Sequence, residues 1–450
     1  MLPDIDGLKE MLLETIRSKQ DQGYDVENLS EEVASVKDSY NALAAAACRI
    51  AKAPLREDWP YVEPDDYDPI MAECDPARPS DPIAKVDLDE VEGRVEAAFL
   101  GSVCGCILGK PLEVSPTLEE IRRAAEGIGD WPIGDYISEA LLDRLGRRHR
   151  SWDCTVRERI HYAAPDDDIN YTVMGMLLLE RGGLDFTQED IAHLWMKNLP
   201  PGWTFGPERT LLVKSAAYSL FTMLKPESFA RPPLKTFVSL WNPRDEYCGA
   251  QIRADAYGYG CAGRPGLAAK LAWRDASWTH RKTGIYGTMF TSSAIACAAV
   301  MEEPLEVFRT ALQFVPRRSR FYERVSDCLE EVASAKDWLD GYSRIHAKYN
   351  EYGHCRIYQE SGTLINTLRF ARDVGDGICI QVSQGNDTDS YGATAGSILG
   401  MYFGPGHLEN RWLAPFNDRI HTALADFHEQ SLSALAKRMA GLPRMVSDAL

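Results

Sequence analysis

Two runs of glycine at four-residue spacing constrain this chain more than any other feature: Gly101, Gly105 and Gly109, and far downstream Gly392, Gly396 and Gly400. Glycine inside a helix costs about 1 kcal/mol relative to alanine, so a stripe of three needs a packing reason. Close approach of two helix backbones is such a reason. If the stripes face each other, the segment just after Gly109, Lys110-Pro111-Leu112-Glu113, is drawn toward the residues that open the second glycine helix. The alternative, in which each stripe packs on some other helix, stays open at this point.

Those opening residues are acidic. Gly385-Asn386-Asp387-Thr388-Asp389-Ser390 precedes the small and apolar run 391–403, and Pro165-Asp166-Asp167-Asp168 precedes the apolar run 169–180. One Asp at a helix start caps amides and favours the helix dipole by roughly 0.3–1 kcal/mol. Three in a row exceed that role. A helix as apolar as 391–403 is buried, and buried unpaired carboxylates are costly unless cations compensate them. Oxygen donors with no His or Cys nearby in the chain suit Mg²⁺, Mn²⁺ or Ca²⁺ rather than zinc. If the two clusters meet, they form a carboxylate cage for one or two hard cations.

The net charge of −18 argues against a nucleic-acid or membrane-surface binder, and an anionic substrate would need cations or a local basic group to be accepted. The eleven cysteines are scattered with apolar neighbours and no CxxC pair, which reads as reduced core thiols of a cytoplasmic protein. Cys104-Gly-Cys106 is the one close pair, with no second pair to complete a metal site. No basic and apolar leader opens the sequence, and no window reaches the ~20 apolar residues of a membrane span.

The pattern is helical nearly throughout, predicting an all-α fold. Residues 4–22 and 30–53 carry helical periodicity, the second opening on the capping box Ser30-Glu31-Glu32-Val33. Residues 54–90 are rich in Pro and Asp and read as an extended connector, so 1–90 is expected to be a helical extension on a body at 91–450. Helices are predicted over 91–110, 117–127, 171–182, 187–198, 208–224, 265–280, 288–301, 304–314, 321–341, 361–373, 390–403 and 416–440, with 140–165 and 225–260 as loops and 377–382 as a short strand. Gly258-Tyr-Gly260-Cys-Ala-Gly263 matches the GxGxxG dinucleotide pattern but follows no strand, so it is not read as a nucleotide turn.

These residues carry a resemblance to the ADP-ribosylglycohydrolase family, the dinitrogenase-reductase-activating glycohydrolase-like enzymes. The family's Gly-x-x-x-Gly-Asp-x-x-Gly…Glu is similar to the segment from Gly101 through Gly105, Cys106 and Gly109 to Glu113; its Thr-Asp-Asp-Thr to Asp166-Asp167-Asp168-Ile169; its Gly-Asp-Thr-Asp-Thr to Asn386-Asp387-Thr388-Asp389-Ser390. A Gly-Ala-x-x-Arg element resembles Gly249 to Arg253, and a Thr-His element resembles Thr279-His280. Cys106 stands where the family has Asp, Asp166 where it has Thr or Ser, and Ile169 where it has Thr.

The resemblance implies a compact multi-helix domain with two Mg²⁺ ions (Mn²⁺ as an alternative) held by Asp166, Asp167, Asp168, Asp387, Asp389 and Ser390. It implies an ADP-ribose site lined by Gly249, Gln251, His280, Tyr286 and Gly287, with Glu113, Asp168 and Asp387 as catalytic carboxylates. The expected reaction is release of ADP-ribose from a modified side chain, arginine first, on a protein or small molecule. The alternative is a catalytically weak ADP-ribose-binding or toxin-neutralising member acting through residues 1–90. Terpene and prenyl-diphosphate synthases also pair Asp-rich helices with Mg²⁺, but Thr394 stands where their second motif needs Glu.

Overall fold

The computed structural model describes residues 4–37, 39–224 and 233–450, and the chain is built almost wholly of helices, as its periodicity predicts. Its centre is the helix Leu88–Gly109 laid against Thr388–Phe403. The glycine stripes interlock: a Cβ on Gly101 would strike the Gly396 carbonyl, one on Gly105 the Gly392 carbonyl, and one on Gly109 the Thr388 carbonyl. Thr388 Oγ1 donates to the Gly109 carbonyl at 2.8 Å across the same contact. Contrary to the expectation that no window is apolar enough, Leu88–Leu112 is long and apolar enough to cross a membrane, but 83% of its most apolar window is buried inside the protein, so its apolarity serves the core.

Around this pair stand the helices Asp167–Gly182, Asp255–Gly260, Thr283–Ala298, Ile357–Phe370 and Val374–Ser383. Every residue of Thr283–Ala298 is buried, as expected of a helix apolar on all sides. Asp255 ties its helix to both central helices and to Asp167–Gly182, accepting from Ser397 (2.8 Å), Ser102 (3.5 Å) and Thr172 (3.3 Å).

Several local expectations are corrected. Residues 377–382 lie in the helix Val374–Ser383, because an apolar run this short has no periodicity to separate strand from buried helix, and Gly377 packs there on Leu399. Helix 416–440 is replaced by a hairpin, Arg419–His421 antiparallel to Glu429–Ser431, followed by the helix Leu432–Ala440. Asn417 and Asp418, at φ +53° and +54°, break the helical path. The stretch 321–341 divides into Arg320–Ser334 and Trp338–Tyr349, and 30–53 into Leu29–Ser35 and Tyr40–Ala51. The Ser30 capping box does not form; Asn28 occupies the cap without a side-chain bond. Of the loop 225–260, residues 225–232 lie outside the described residues, and the rest contains the helices Leu234–Ser239 and Asp255–Gly260 and the 3₁₀ turn Cys248–Arg253. Gly258 thus sits within a helix, packed on Ile295, which is no place for a nucleotide-binding turn.

The first 90 residues have a small core of their own, built on Leu12, Ile16, Val26, Val33, Leu43 and Ile50. The connector is not merely extended, since it contains the helix Tyr67–Glu73. Buried charge fastens it to the rest of the chain: Lys19 Nζ pairs with Asp245 at 3.0 Å, and the Lys282 amide donates to Asp65 at 3.0 Å. Arg320 Nε holds Glu63 at 2.9 Å while its other nitrogens reach Glu246.

Candidate functional site

The glycine contact does what its register suggests: it places Lys110, one residue past the first helix, at the start of the second. Lys110 Nζ lies 2.6 Å from each of three carboxylates, Glu113 Oε2, Asp166 Oδ2 and Asp389 Oδ2. Burial alone would depress this ammonium, but Asp166, Asp389 and Glu113 outweigh it and hold the lysine well above its usual range. The same lysine keeps Asp389 ionised against its burial.

Each acidic cluster is fixed by its own turn. Ala163 exchanges backbone bonds with the hairpin strand at Arg419 and His421, which sets the chain leading into Asp166. Asp166 caps its helix, Oδ1 accepting the Asp168 amide at 3.1 Å, and its other oxygen meets Lys110. Before Asp387, Gly385 (φ +81°) and Asn386 (φ +62°) form a left-handed pair, and the Asn386 amide donates to the Pro116 carbonyl at 3.0 Å. A Cβ on Gly385 would meet that same carbonyl, so the turn demands glycine.

The expected aspartates therefore converge into one cluster, with Lys110 on one side of it. On the Lys110 side stand Asp166, Asp168 and Asp389. Both oxygens of Asp168 and Oδ1 of Asp389 are buried without a hydrogen-bond partner, the condition a hard cation would relieve. Burial, then the neighbouring Asp166 and Asp167, raises the Asp168 carboxyl well above the usual range. Asp167 is half-buried beside them, raised by burial and by Asp166. Ser390 is buried in the first turn of its helix, its carbonyl accepting from the Thr394 hydroxyl at 3.0 Å.

Asp387 lies against Asp389 and extends the cluster toward two thiols. Its Oδ2 accepts from the thiols of both Cys248 and Cys355 at 3.3 Å, its amide donates to Glu360 at 3.2 Å, and His354 and Glu113 lie beside it. Cys106, in the place of the family Asp, lies against Asp166 and Asp168. Thiols and an imidazole thus stand beside the oxygen donors, where the sequence led one to expect oxygen alone. That expectation considered only neighbours in the chain, whereas these thiols and the imidazole arrive from distant turns.

Glu113, His149, Asp167, His354 and Cys355 are the half-buried members of the cluster. Burial and Asp389 push the Glu113 carboxyl up to about 9 against the pull of Lys110. His149 Nε2 lies 3.5 Å from Glu113, and burial with Lys110 pushes its pKa down to about 4.

The residues expected along ADP-ribose are packed against other protein groups, Gly249 half-buried and the rest buried. Gln251 spends its amide on Thr291, Ser361 and Tyr391, at 3.0, 3.1 and 2.8 Å. Tyr286 donates to the Pro64 carbonyl, and Gly287 packs against Ile357. His280, with 0% exposure, bonds Thr279 at 2.8 Å beside the buried Arg253–Glu208–Asp275 cluster, and Gly249 is pressed against Glu208. Sequence reasoning missed Lys110, Cys248, His354, Cys355 and Glu360 as site residues; for Lys110 the glycine register was the available signal, and for the others there was none.

A family model for ADP-ribosylglycohydrolase matches residues 87–446, and the chain belongs to that family. A solved structure described as an ADP-ribosylglycohydrolase-related protein complex is similar over 80% of this chain and 99% of its own, with a TM-score of 0.50 and 18% identity, a likeness of fold. No curated protein sequence matches the chain. Membership places the protein among glycosidic hydrolases.

Proposed function

We propose that the chain hydrolyses the glycosidic bond of ADP-ribosylated side chains, ADP-ribosyl-arginine first, in a reaction dependent on Mg²⁺ or Mn²⁺. The observation that carries this reading is Asp168, with both oxygens buried and unpaired beside Asp166 and Asp389 in a chain of this family. Asp166, Asp168 and Asp389 would hold one hard cation, and a second position would fall at Asp387. When bound, such ions supply a grip on ribose hydroxyls and an acidified water.

The chain's own groups have distinct tasks. Cleavage at ribose C1 passes through an oxocarbenium-like state, which nearby carboxylates such as Asp168 stabilise by charge. Glu113, its carboxyl pushed up by burial and Asp389, is half-buried at the cluster and is the group to hand a proton to the departing atom. Neutral His149 orients it. Lys110 offsets the carboxylates that would otherwise repel a pyrophosphate.

A second reading, an ADP-ribose binder with little turnover, is favoured by one feature: Lys110 competes with a hard cation for Asp166 and Asp389. Incubation with ADP-ribosyl-arginine, ADP-ribosyl-serine and O-acetyl-ADP-ribose separates the two. Divalent-dependent release from any of them supports the hydrolase, and tight ADP-ribose binding with no release supports the binder. Eleven free thiols favour a cytoplasmic location.

A further inference from the structure

We infer that Cys248, Cys355, His354 and Asp387 form a site for a borderline divalent cation of the zinc class, adjoining the carboxylates on the Lys110 side. The inference rests on the hydrolase reading only in sharing Asp387 with it.

Three separate segments deliver the donors: the turn Cys248–Arg253, the loop ahead of the helix Ile357–Phe370, and the turn ahead of Thr388–Phe403. The two sulfurs and an Asp387 oxygen lie within 4.8 Å of one another, and a His354 ring nitrogen lies within 4.8 Å of Asp387 and Glu113. Two weak thiol donors converge on the single atom Asp387 Oδ2, which one shared cation would explain better than two weak hydrogen bonds. His354 Nδ1 is buried without a partner. So is Oε2 of Glu360, a residue only 2% exposed whose other oxygen holds the Asp387 amide.

Cys355 sits at φ +63°, a left-handed conformation that holds its thiol toward Asp387. The two sulfurs and the Asp387 oxygen form one donor group, and His354 stands in an adjoining group that shares Asp387. Sulfur and imidazole donors beside a carboxylate suit zinc, whereas Mg²⁺ takes oxygen. Binding would release the thiol protons to solvent as the sulfurs ligate.

Cobalt is the probe, because Co²⁺ ligated by thiolate gives a charge-transfer band that oxygen ligands do not. The reduced, full-length protein, stripped with chelator and titrated anaerobically with Co²⁺ in excess Mg²⁺, is expected to develop this band to one equivalent. Zn²⁺ is expected to bleach it and Mg²⁺ to leave it unchanged. Cys248→Ser and Cys355→Ser should each diminish the band, and His354→Gln should weaken Co²⁺ binding by about tenfold or more. A wild-type protein without the band overturns the inference, as does a band kept by both serine variants or a Cys248–Cys355 disulfide that takes up no metal once reduced. ADP-ribose release is scored separately: turnover without the band sinks this site alone, and the band without turnover sinks the hydrolase reading alone.

Discussion

Lys110 Nζ and Asp389 Oδ2, 279 positions apart in the chain, lie 2.6 Å from each other because the helices that carry them interlock glycine against backbone. The fold's tightest helix contact and the centre of the site are one feature. Lys110 is 8% exposed and meets three carboxylates, so it is a resident counter-ion of the cluster.

Lys110→Met removes that counter-ion. Breaking a buried ion pair on one side costs about 3–5 kcal/mol, so in chelator the variant is expected to melt well below the wild type. Mn²⁺ or Mg²⁺ should recover much of the loss, because the freed Asp166 and Asp389 can then bind a cation and stabilise the folded state by mass action. Thermal melts with and without cation check this, and a variant indifferent to cation would contradict the role given to the lysine.

Gly105→Ala tests the helix contact. The added methyl faces the Gly392 backbone carbonyl, which no rotamer change can move aside. Destabilisation should reach or exceed ~3 kcal/mol, the upper end for overpacking a core, and is read as a fall in the denaturation midpoint. A midpoint within error of the wild type would show that the helices can separate without penalty.

Asp255 makes stability depend on pH. Burial pushes its carboxyl up to about 7, against the pull of the Ser397, Thr172 and Ser102 hydroxyls, while in the unfolded chain it titrates near its ordinary value of about 3.9. The folded state therefore binds the extra proton between those values. The stability this group contributes is fully present below about pH 4 and is lost as the pH rises through 7, a change on the order of a few kcal/mol. Asp255→Asn should flatten that part of the profile in denaturant titrations between pH 5 and 8; an unchanged slope would place the dependence elsewhere.

Arg320 fastens the amino-terminal segment, holding Glu63 and Glu246 at once. Arg320→Ala leaves both acids buried without the guanidinium that joins them, at a cost of about 3–5 kcal/mol. Limited proteolysis is expected to cut within residues 1–90 faster than in the wild type. Equal cutting rates would mean that the Lys19–Asp245 pair and the small core suffice to hold the segment.

The sequence made legible whatever depends on local period or on chemistry confined to one segment. The glycine stripes announced their own contact, the two Asp clusters announced a shared pocket, and helical periodicity gave most of the core. Residues 377–382 misled because six buried residues look alike in strand and helix. The hairpin at 419–431 was hidden because positive φ at Asn417 and Asp418 is a tertiary choice. The thiols and imidazole around Asp387 were illegible because each sits alone in its own segment, and only the fold brings them to one carboxylate.

ADP-ribose release from ADP-ribosyl-arginine, measured in chelator and after Mn²⁺ or Mg²⁺ is restored, tests most directly whether the converged aspartates form a cation-dependent hydrolytic site. The wild type is expected to release ADP-ribose only with cation present, and Asp168→Asn and Asp389→Asn to lose at least about two orders of magnitude, as when a charge-stabilising group is removed. Release that continues undiminished in chelator, or that survives both substitutions, would contradict it.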